Sequence, residues 1–359
     1  MRNEYKSIER FYKSNSPIRR ITKHPFFGYA VFVAMFMIIQ LIYMNTDGLI
    51  SLTFTRAMTQ TFIFTISAMG LTILLSVAGM VSLGTAGFIG LGGYITGQLL
   101  LTRGAPILLT LIVPVVAAVL VGIIVGFVSL RVRGVHLMIV TLALSNILYD
   151  LYIQDNWFTG GFSGLRNIPF QRLLTVFSLT RDTTYFFILL VFLAMIMLTI
   201  NIIYSKTGRA LLTMRNSEVL AQAMGISILR YRLLAFIIAT AYAMISGALW
   251  VSSFGSMLPT NLTLTLSLNI LCAVLLGGGI TPIGTILGAF FIFGLNLAVL
   301  QNIPFFTSHP QAVPIFNAIL IIVIIIKYPG GLMRFILEIK NFLKKTLGKW
   351  KVYRYGPDK

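Results

Sequence analysis

The sequence predicts an all-α, polytopic membrane protein with about ten transmembrane segments. Residues 233–326 contain no Asp, Glu, Lys or Arg. A soluble protein needs charge on its surface, whereas each charge in the bilayer core costs several kcal/mol. Hydrophobic residues make up 57% of the 359-residue chain and charged residues only 10%. Since one span needs roughly 20 residues, the uncharged stretch alone is long enough for several spans.

Charge-free stretches, divided at polar, proline-bearing or glycine-bearing turns, define the individual spans. The predicted spans are residues 26–44, 57–78, 81–101, 106–130, 135–153, 185–204, 233–251, 268–278, 284–303 and 313–327. Segments 81–101 and 268–278 are the least regular of these. The basic start of the chain followed by 26–44 resembles a signal peptide. The apolar stretch is too long for one and no small-residue cleavage site follows it, so we interpret it as a retained span.

The net charge of +19 is concentrated in three places. Seven Lys/Arg lie in residues 1–23, five in 206–232 and nine in 327–359. Basic residues beside apolar spans mark the cytoplasmic side and suit anionic lipid headgroups, which makes nucleic acid a poor candidate partner. An even number of spans places both termini on the same side of the membrane. Both termini are strongly basic, so we expect that side to be the cytoplasm, with the protein in the cell (inner or plasma) membrane. The same scheme places residues 131–133 inside and Trp157 outside.

Three regions follow from this topology. Residues 1–25 form a basic cytoplasmic N-terminal tail, and residues 26–328 form the transmembrane domain with a cytoplasmic loop at 205–232. Residues 329–359 form a basic C-terminal tail. Aromatic and aliphatic residues alternate with lysines in this tail. That pattern predicts an amphipathic helix on the inner leaflet, although a solvated tail is the alternative.

Two glycine-rich segments are candidates for a functional role. Residues 79–94 read GMVSLGTAGFIGLGGY, and residues 276–289 read LGGGITPIGTILGA. Glycine is less favourable than alanine in a helix by about 1 kcal/mol. Such clusters therefore indicate either close helix packing or broken helices that line a substrate path, and both alternatives stay open. For the second segment, the choice is between a half-helix followed by an irregular turn and an ordinary hairpin.

The loop at 205–232 is predicted to contain two short helices. Asn216 and Ser217 can cap the second helix, and the charge of Glu218 suits its positive N-terminal end. Gly225 is suited to end it. Apolar residues in both helices leave two alternatives open, namely an amphipathic helix resting on lipid and a knob that docks into a partner's groove.

Turn-forming residues are frequent in the segment that follows residue 155, where Thr159, Gly160 and Gly161 lie next to Trp157. We interpret this segment as an external connector below an interfacial tryptophan. The chain has no G-x-x-x-x-G-K-[ST] phosphate loop, so we expect no ATP hydrolysis, no catalytic residues and no cofactor on this chain. The single cysteine, Cys272, excludes a disulfide framework and a multi-cysteine metal site, and no metal site is predicted.

Four blocks, in order along the chain, resemble a known family. These blocks are residues 79–94, residues 131–148 with their continuation at 159–165, residues 208–231 and residues 276–289. They resemble the LivM-type permease subunits of ATP-binding-cassette importers for branched-chain amino acids. The resemblance runs from about residue 57 to residue 333.

The resemblance implies partners and a docking site. The partners would be a second, related permease (LivH-type), two ATPase subunits that bind ATP and Mg²⁺, and an external substrate-binding protein. The loop at 205–232 corresponds to the helices by which the family docks on its ATPase. The loop residues carried over are Gly208, Arg209, Arg215, Glu218, Ala221 and Gly225.

The expected function is import of leucine, isoleucine and valine by alternating access, driven by the partner ATPases. Half-helix ends and backbone polar groups could hold a zwitterion along the path. The expected path residues are Gly79, Ser82, Gly84, Thr85, Asn146, Asn269, Gly277, Gly278, Gly279 and Gly284. Thr85 and Asn146 differ from residues common in the family, which leaves urea or a short amide as an alternative cargo. A stand-alone carrier or channel is a further alternative, against which the scarcity of buried ionisable residues argues.

Overall fold

The computed structural model describes residues 29, 32–38, 52–129, 135–168, 172–174, 177–178, 181–278, 281–295, 308–309, 312–327 and 331–332. The predictions for the N-terminal tail, for residues 131–133 and for Gly279 lie outside these residues. So does the amphipathic helix predicted in the C-terminal tail. Of the first predicted span, residues 32–38 are described and are helical.

The described chain is almost entirely helical, as predicted. Its α-helices are α1 (Leu52–Thr72), α2 (Thr85–Arg103), α3 (Ile107–Ser129), α4 (Val135–Gln154), α5 (Arg181–Tyr204), α6 (Lys206–Asn216), α7 (Glu218–Ala223), α8 (Ile228–Phe254), α9 (Leu264–Gly277), α10 (Pro282–Ala289) and α11 (Ala312–Lys327). Two of them continue as π-helices, α1 through Ile73–Val77 and α10 through Phe290–Gly294. Short 3₁₀ turns cover Gly161–Ser163 and Pro259–Asn261.

A small antiparallel hairpin is the one departure from the all-α prediction among the described residues. Its strands are β1 (Arg172–Leu174) and β2 (Phe177–Ser178), with Arg172 opposite Ser178. The hairpin lies in the connection between α4 and α5, outside the apolar spans. A two-stranded hairpin of this size adds no sheet to the core, so the architecture remains that of a helical membrane protein.

Six helical segments in the described part of the chain are long and apolar enough to cross a membrane. They are Phe54–Val77, Leu108–Phe127, His136–Gln154, Thr184–Tyr204, Ile228–Phe254 and Pro259–Gly277. The last of these corrects the predicted segment 268–278, because α9 begins at Leu264 and is preceded by the 3₁₀ turn at Pro259. The polar residues before Leu268 hid this start. In the structure the hydroxyl of Ser267 is buried and accepts a hydrogen bond from α2.

Helix α8 forms the centre of the fold and packs against α1, α2 and α3. Its contact with α2 is the closest, because two glycines face the opposing backbones. A Cβ added at Gly92 would collide with the backbone of Met244, and one added at Gly247 would collide with the carbonyl of Ile89. Small residues permit this approach of two helices in a membrane. The glycines of α2 that face α8 therefore serve packing.

Contacts between the connecting segments define two ends of the helical bundle. At the first, called the Gly79 end, the π-helix after α1 contacts α6. At the second, called the Trp157 end, Leu165 pairs with Met257, and the Gln98 side chain donates to the carbonyl of Phe158 at 2.5 Å. This grouping separates the 205–232 loop from the Trp157 connector, in agreement with the alternation of the predicted spans.

Candidate functional site

The two short helices predicted in the 205–232 loop are present as α6 and α7. Ser205 caps α6, and its hydroxyl accepts from the Gly208 amide at 3.2 Å. Ser217, rather than Asn216, caps α7 and accepts from the Leu220 amide at 3.2 Å. The chain leaves α7 through Gly225, whose φ of +76° is a left-handed conformation that glycine adopts without strain.

Helices α6 and α7 are fixed to the transmembrane helices by buried apolar residues and two charged contacts. Leu211 and Met214 of α6 are buried. Arg215 donates a hydrogen bond to the carbonyl of Ser76, which lies in the π-helix after α1. Glu218 forms an ion pair with Arg232, near the start of α8. The pair of short helices, called here the α6–α7 unit, is therefore joined to both α1 and α8.

The outer face of the α6–α7 unit carries apolar side chains that nothing in the described structure covers. Val219, Leu220 and Met224 are 78%, 54% and 68% exposed, while Ala221 between them is completely buried. We call Val219, Leu220 and Met224 the α7 apolar patch. A short helix with one buried anchor and three exposed apolar side chains suits insertion into a groove.

The six loop residues named from the resemblance occupy different positions on this unit. Gly208 and Ala221 are buried, and a Cβ at Gly208 would collide with the carbonyl of Ile203. Arg209 is exposed and donates to the carbonyl of Tyr204 at 3.0 Å. Arg215 and Glu218 make the two charged contacts to α1 and α8. The resemblance named these residues as one docking loop, but it did not predict which residues of the transmembrane helices they contact.

A narrow cleft lies next to the break between α1 and α2. Its lining is apolar except for three hydroxyls, from Ser82, Thr85 and Thr240, and it contains no charged side chain. The lining residues are Leu71, Leu74, Ser82, Thr85, Phe88, Phe236, Ala239, Thr240 and Ala243. Ser82 and Thr85 were predicted path residues. The contributions from α1 and α8 were missed, because isolated Leu, Phe and Ala residues in a span are indistinguishable from core residues.

Hydroxyl groups bond several backbone amides at the buried N-terminus of α2. Three amides donate to side chains of α4 and α9, namely Leu83 to Thr141 at 3.0 Å, Ala86 to Ser267 at 2.9 Å and Gly87 to Ser145 at 3.2 Å. In addition, the Gly84 amide donates to the Ser82 hydroxyl at 3.3 Å. The amides of Leu83, Gly84, Ala86 and Gly87 are therefore already bonded within the chain.

The remaining predicted path residues do not converge on this cleft. The side chain of Asn146 is exposed on α4, and that of Asn269 is half-buried on α9. Gly277 and Gly284 face one another across the turn between α9 and α10, where a Cβ on either would collide with a backbone carbonyl. Gly278 adopts φ +66° at the end of α9. The segment Pro259–Gly277 before this turn is long enough to cross a membrane, which favours the hairpin alternative for the second glycine-rich segment.

The predicted connector residues form a tightly bonded loop at the Trp157 end. The Thr159 hydroxyl is buried and donates to the carbonyl of Tyr152 at 2.7 Å. Gly160 and Gly161 follow with φ of +75° and +61°. Trp157 is 89% exposed. Among the residues that the structure describes, no group of three or more His, Cys, Asp or Glu side chains is placed to hold a metal ion.

These features define the chain as a polytopic, helical membrane protein with a glycine-packed bundle and a short-helix unit at one end. Residues 53–327 match the family described as "Branched-chain amino acid transport system / permease component". The match covers more than half of the chain, and the protein belongs to this family.

Two curated relatives carry the same kind of description. The chain is 29% identical over 257 residues to the "High-affinity branched-chain amino acid transport system permease protein LivM" of Escherichia coli strain K12. It is 30% identical over 254 residues to the protein of the same description from Salmonella typhimurium. These alignments cover 65% and 64% of this chain and 60% of each relative. No solved structure matches the chain significantly.

Proposed function

We propose that this protein is the transmembrane subunit of an ATP-driven importer for leucine, isoleucine and valine. In this proposal two ATPase subunits bind ATP and Mg²⁺ and dock on the α6–α7 unit. A second, related permease completes the membrane part, and an external binding protein delivers the substrate. Both termini and the α6–α7 unit lie in the cytoplasm, and the Trp157 end faces outward.

The observation that carries the proposal is the α7 apolar patch on a firmly anchored unit. Val219, Leu220 and Met224 are exposed, whereas the residues beneath α6 and α7 are buried. A helix that merely rested on lipid would not require two charged ties to the transmembrane helices. A docked helix does require them, because ATPase closure must move α1 and α8 and not only the loop.

The cleft has room for about one water molecule as it stands, and its lining suits the chemistry of the proposed substrates once the spans move apart. Leu71, Phe88 and Phe236 offer apolar contact for a branched side chain, and the Ser82 and Thr240 hydroxyls offer uncharged polar contacts. In this proposal the movement of the spans widens the cleft alternately toward each side of the membrane.

A pair of substitutions on α7 tests docking. Leu220→Glu places a carboxylate in the α7 apolar patch. Gln222→Glu places a carboxylate two residues further along α7, about 200° around the helix from Leu220. Burial of a leucine side chain contributes about 1.5–3 kcal/mol, and each 1.4 kcal/mol is a factor of about ten in binding. We expect Leu220→Glu to reduce co-purification of the ATPase subunits at least about tenfold, and Gln222→Glu to retain it. Equal retention by both variants would contradict docking through α7.

Substrate identity is tested by uptake of radiolabelled leucine into cells that lack this chain, with and without its re-expression. We expect re-expression to restore uptake and excess unlabelled valine to block it. Excess urea should leave uptake unchanged, because urea has no branched apolar group to occupy the cleft. Restored leucine uptake that urea blocks and valine does not would refute the branched-chain assignment.

A further inference from the structure

The π-helix that follows α1 ends at Val77, and the last carbonyls of a helix, Ser76 among them, have no helical partner. In an uninterrupted α-helix the Met80 amide would donate to the carbonyl of Ser76. Here the Met80 amide donates to Leu74 at 2.9 Å and the Gly79 amide donates to Leu75 at 3.2 Å. The carbonyl of Ser76 is thereby available at the C-terminal, negative end of the α1 dipole.

Arg215, at the C-terminal end of α6, fills this position. Its guanidinium donates to the Ser76 carbonyl, and its aliphatic stem lies over Gly79. A Cβ at Gly79 would approach the Arg215 Cγ to 2.9 Å, which is closer than packed carbon atoms allow. Gly79 also has φ +75°. The contact therefore depends on glycine both for its conformation and for space.

The residues on both sides of this contact reach the cleft. Leu71 and Leu74 precede the contact on α1 and line one side, and Ser82 follows Gly79 by three residues and lines another. The Glu218–Arg232 ion pair attaches α7 to α8, whose Phe236 and Thr240 also line the cleft. The α6–α7 unit therefore holds two of the cleft walls through two separate charged contacts.

We propose that Arg215 is a positioning residue that transmits displacement of the α6–α7 unit to the break between α1 and α2, and so sets the width of the cleft. This inference rests on the proposed function, because it takes ATPase movement as the source of the displacement. Arg215 touches neither ATP nor substrate. Its substitution should separate ATP hydrolysis from transport and leave docking intact, since the α7 apolar patch is unchanged.

The test uses the complete transporter, with its ATPase subunits and second permease, in proteoliposomes. The variants are Arg215→Gln, which removes the charge, and Arg215→Lys, which keeps a charged donor. Arg103→Gln is the matched control, because Arg103 is an exposed arginine in the last turn of α2, at the opposite end of the bundle. Co-purified ATPase subunits, the rate of ATP hydrolysis and leucine transported per ATP are measured for each.

Arg215→Gln should retain the ATPase subunits and hydrolysis but transport at least about fivefold less leucine per ATP, within the range of typical coupling between sites. Arg215→Lys should recover part of this loss. Transport per ATP equal to that of Arg103→Gln would overturn the proposal. Loss of the ATPase subunits in proportion to transport would also overturn it, because Arg215 would then act in docking.

Hydrogen exchange tests the contact independently of the proposed function. Amides of residues 77–82 in the purified chain should exchange faster in Arg215→Gln than in Arg103→Gln, because the π-helix loses its external tie. Unchanged exchange there would overturn the inference. Failure of the unmodified chain to bind ATPase subunits would instead refute the proposed function and leave the exchange result standing.

Discussion

Substitution of Gly247 by alanine tests whether close backbone contact between α2 and α8 holds the bundle together. A Cβ at this position would collide with the carbonyl of Ile89 and lie 2.8 Å from the Gly93 amide nitrogen. Both opposing atoms belong to the backbone and cannot rotate away. The two helices must therefore separate by an amount on the order of 1 Å, which forfeits roughly a quarter to a half of each affected dispersion contact.

The expected loss follows from two opposing effects. Overpacking in a well-packed interior costs about 1–3 kcal/mol, and a rigid backbone collision belongs at the upper end of that range. Alanine recovers about 1 kcal/mol of helix propensity relative to glycine. The net loss in free energy of unfolding is therefore about 2 kcal/mol, which corresponds to about a 30-fold change in the ratio of folded to unfolded protein.

Unfolding in mixed micelles of increasing SDS content measures this difference. Gly294→Ala is the matched control, because its Cβ would lie 3.5 Å from the Thr61 hydroxyl oxygen, an ordinary contact distance. We expect Gly247→Ala to unfold at lower SDS content than the unmodified protein. Gly294→Ala should unfold at the same or a higher SDS content, because it gains helix propensity without a collision. A Gly247→Ala protein as stable as the unmodified one, or more stable, would refute the argument from close packing.

Individual hydrogen bonds determine the outcomes of three further substitutions. Thr72→Val should lower the free energy of unfolding by about 1–3 kcal/mol more than Thr285→Val does in the same SDS assay. When Thr285 is replaced, the Thr72 hydroxyl still bonds the Ala68 carbonyl. When Thr72 is replaced, the buried Thr285 hydroxyl loses the partner that Thr72 provides. Equal costs would contradict this asymmetry. Ser217→Ala should weaken the start of α7 by about 1 kcal/mol, seen as faster hydrogen exchange at residues 218–223, and unchanged exchange would show that tertiary contacts alone hold α7.

The positions of most described helices were predictable, because apolar stretches between charges reveal helices whatever their packing. The exception is the start of α9, where the polar Thr263 and Ser267 made the helix look shorter than it is. A hydroxyl inside a membrane helix looks like a break in a hydropathy pattern. When it accepts a bond from another helix, as Ser267 does from Ala86, it belongs to the span.

The candidate site was less predictable, because its decisive contacts join residues that lie far apart in the sequence. Ser217 and Gly225 were foreseen, since capping residues act on neighbours three to five positions away. The Arg215–Ser76 contact was not foreseen, because its acceptor is a backbone carbonyl at a helix end and carries no sequence signal. For Asn146 the residue type misled the prediction. A polar side chain suggested part of the substrate path, but the side chain of Asn146 is exposed on α4.

The hydroxyl-bonded N-terminus of α2 has a consequence for how the protein is made. Helix α2 is not among the six segments that are long and apolar enough to cross a membrane. Its first amides are satisfied by hydroxyls on α4 and α9, and the ribosome produces both helices after α2. An amide without a partner is costly in lipid. Helix α2 therefore depends on later parts of the chain for a stable place in the bilayer, and its integration should be among the last events of biogenesis.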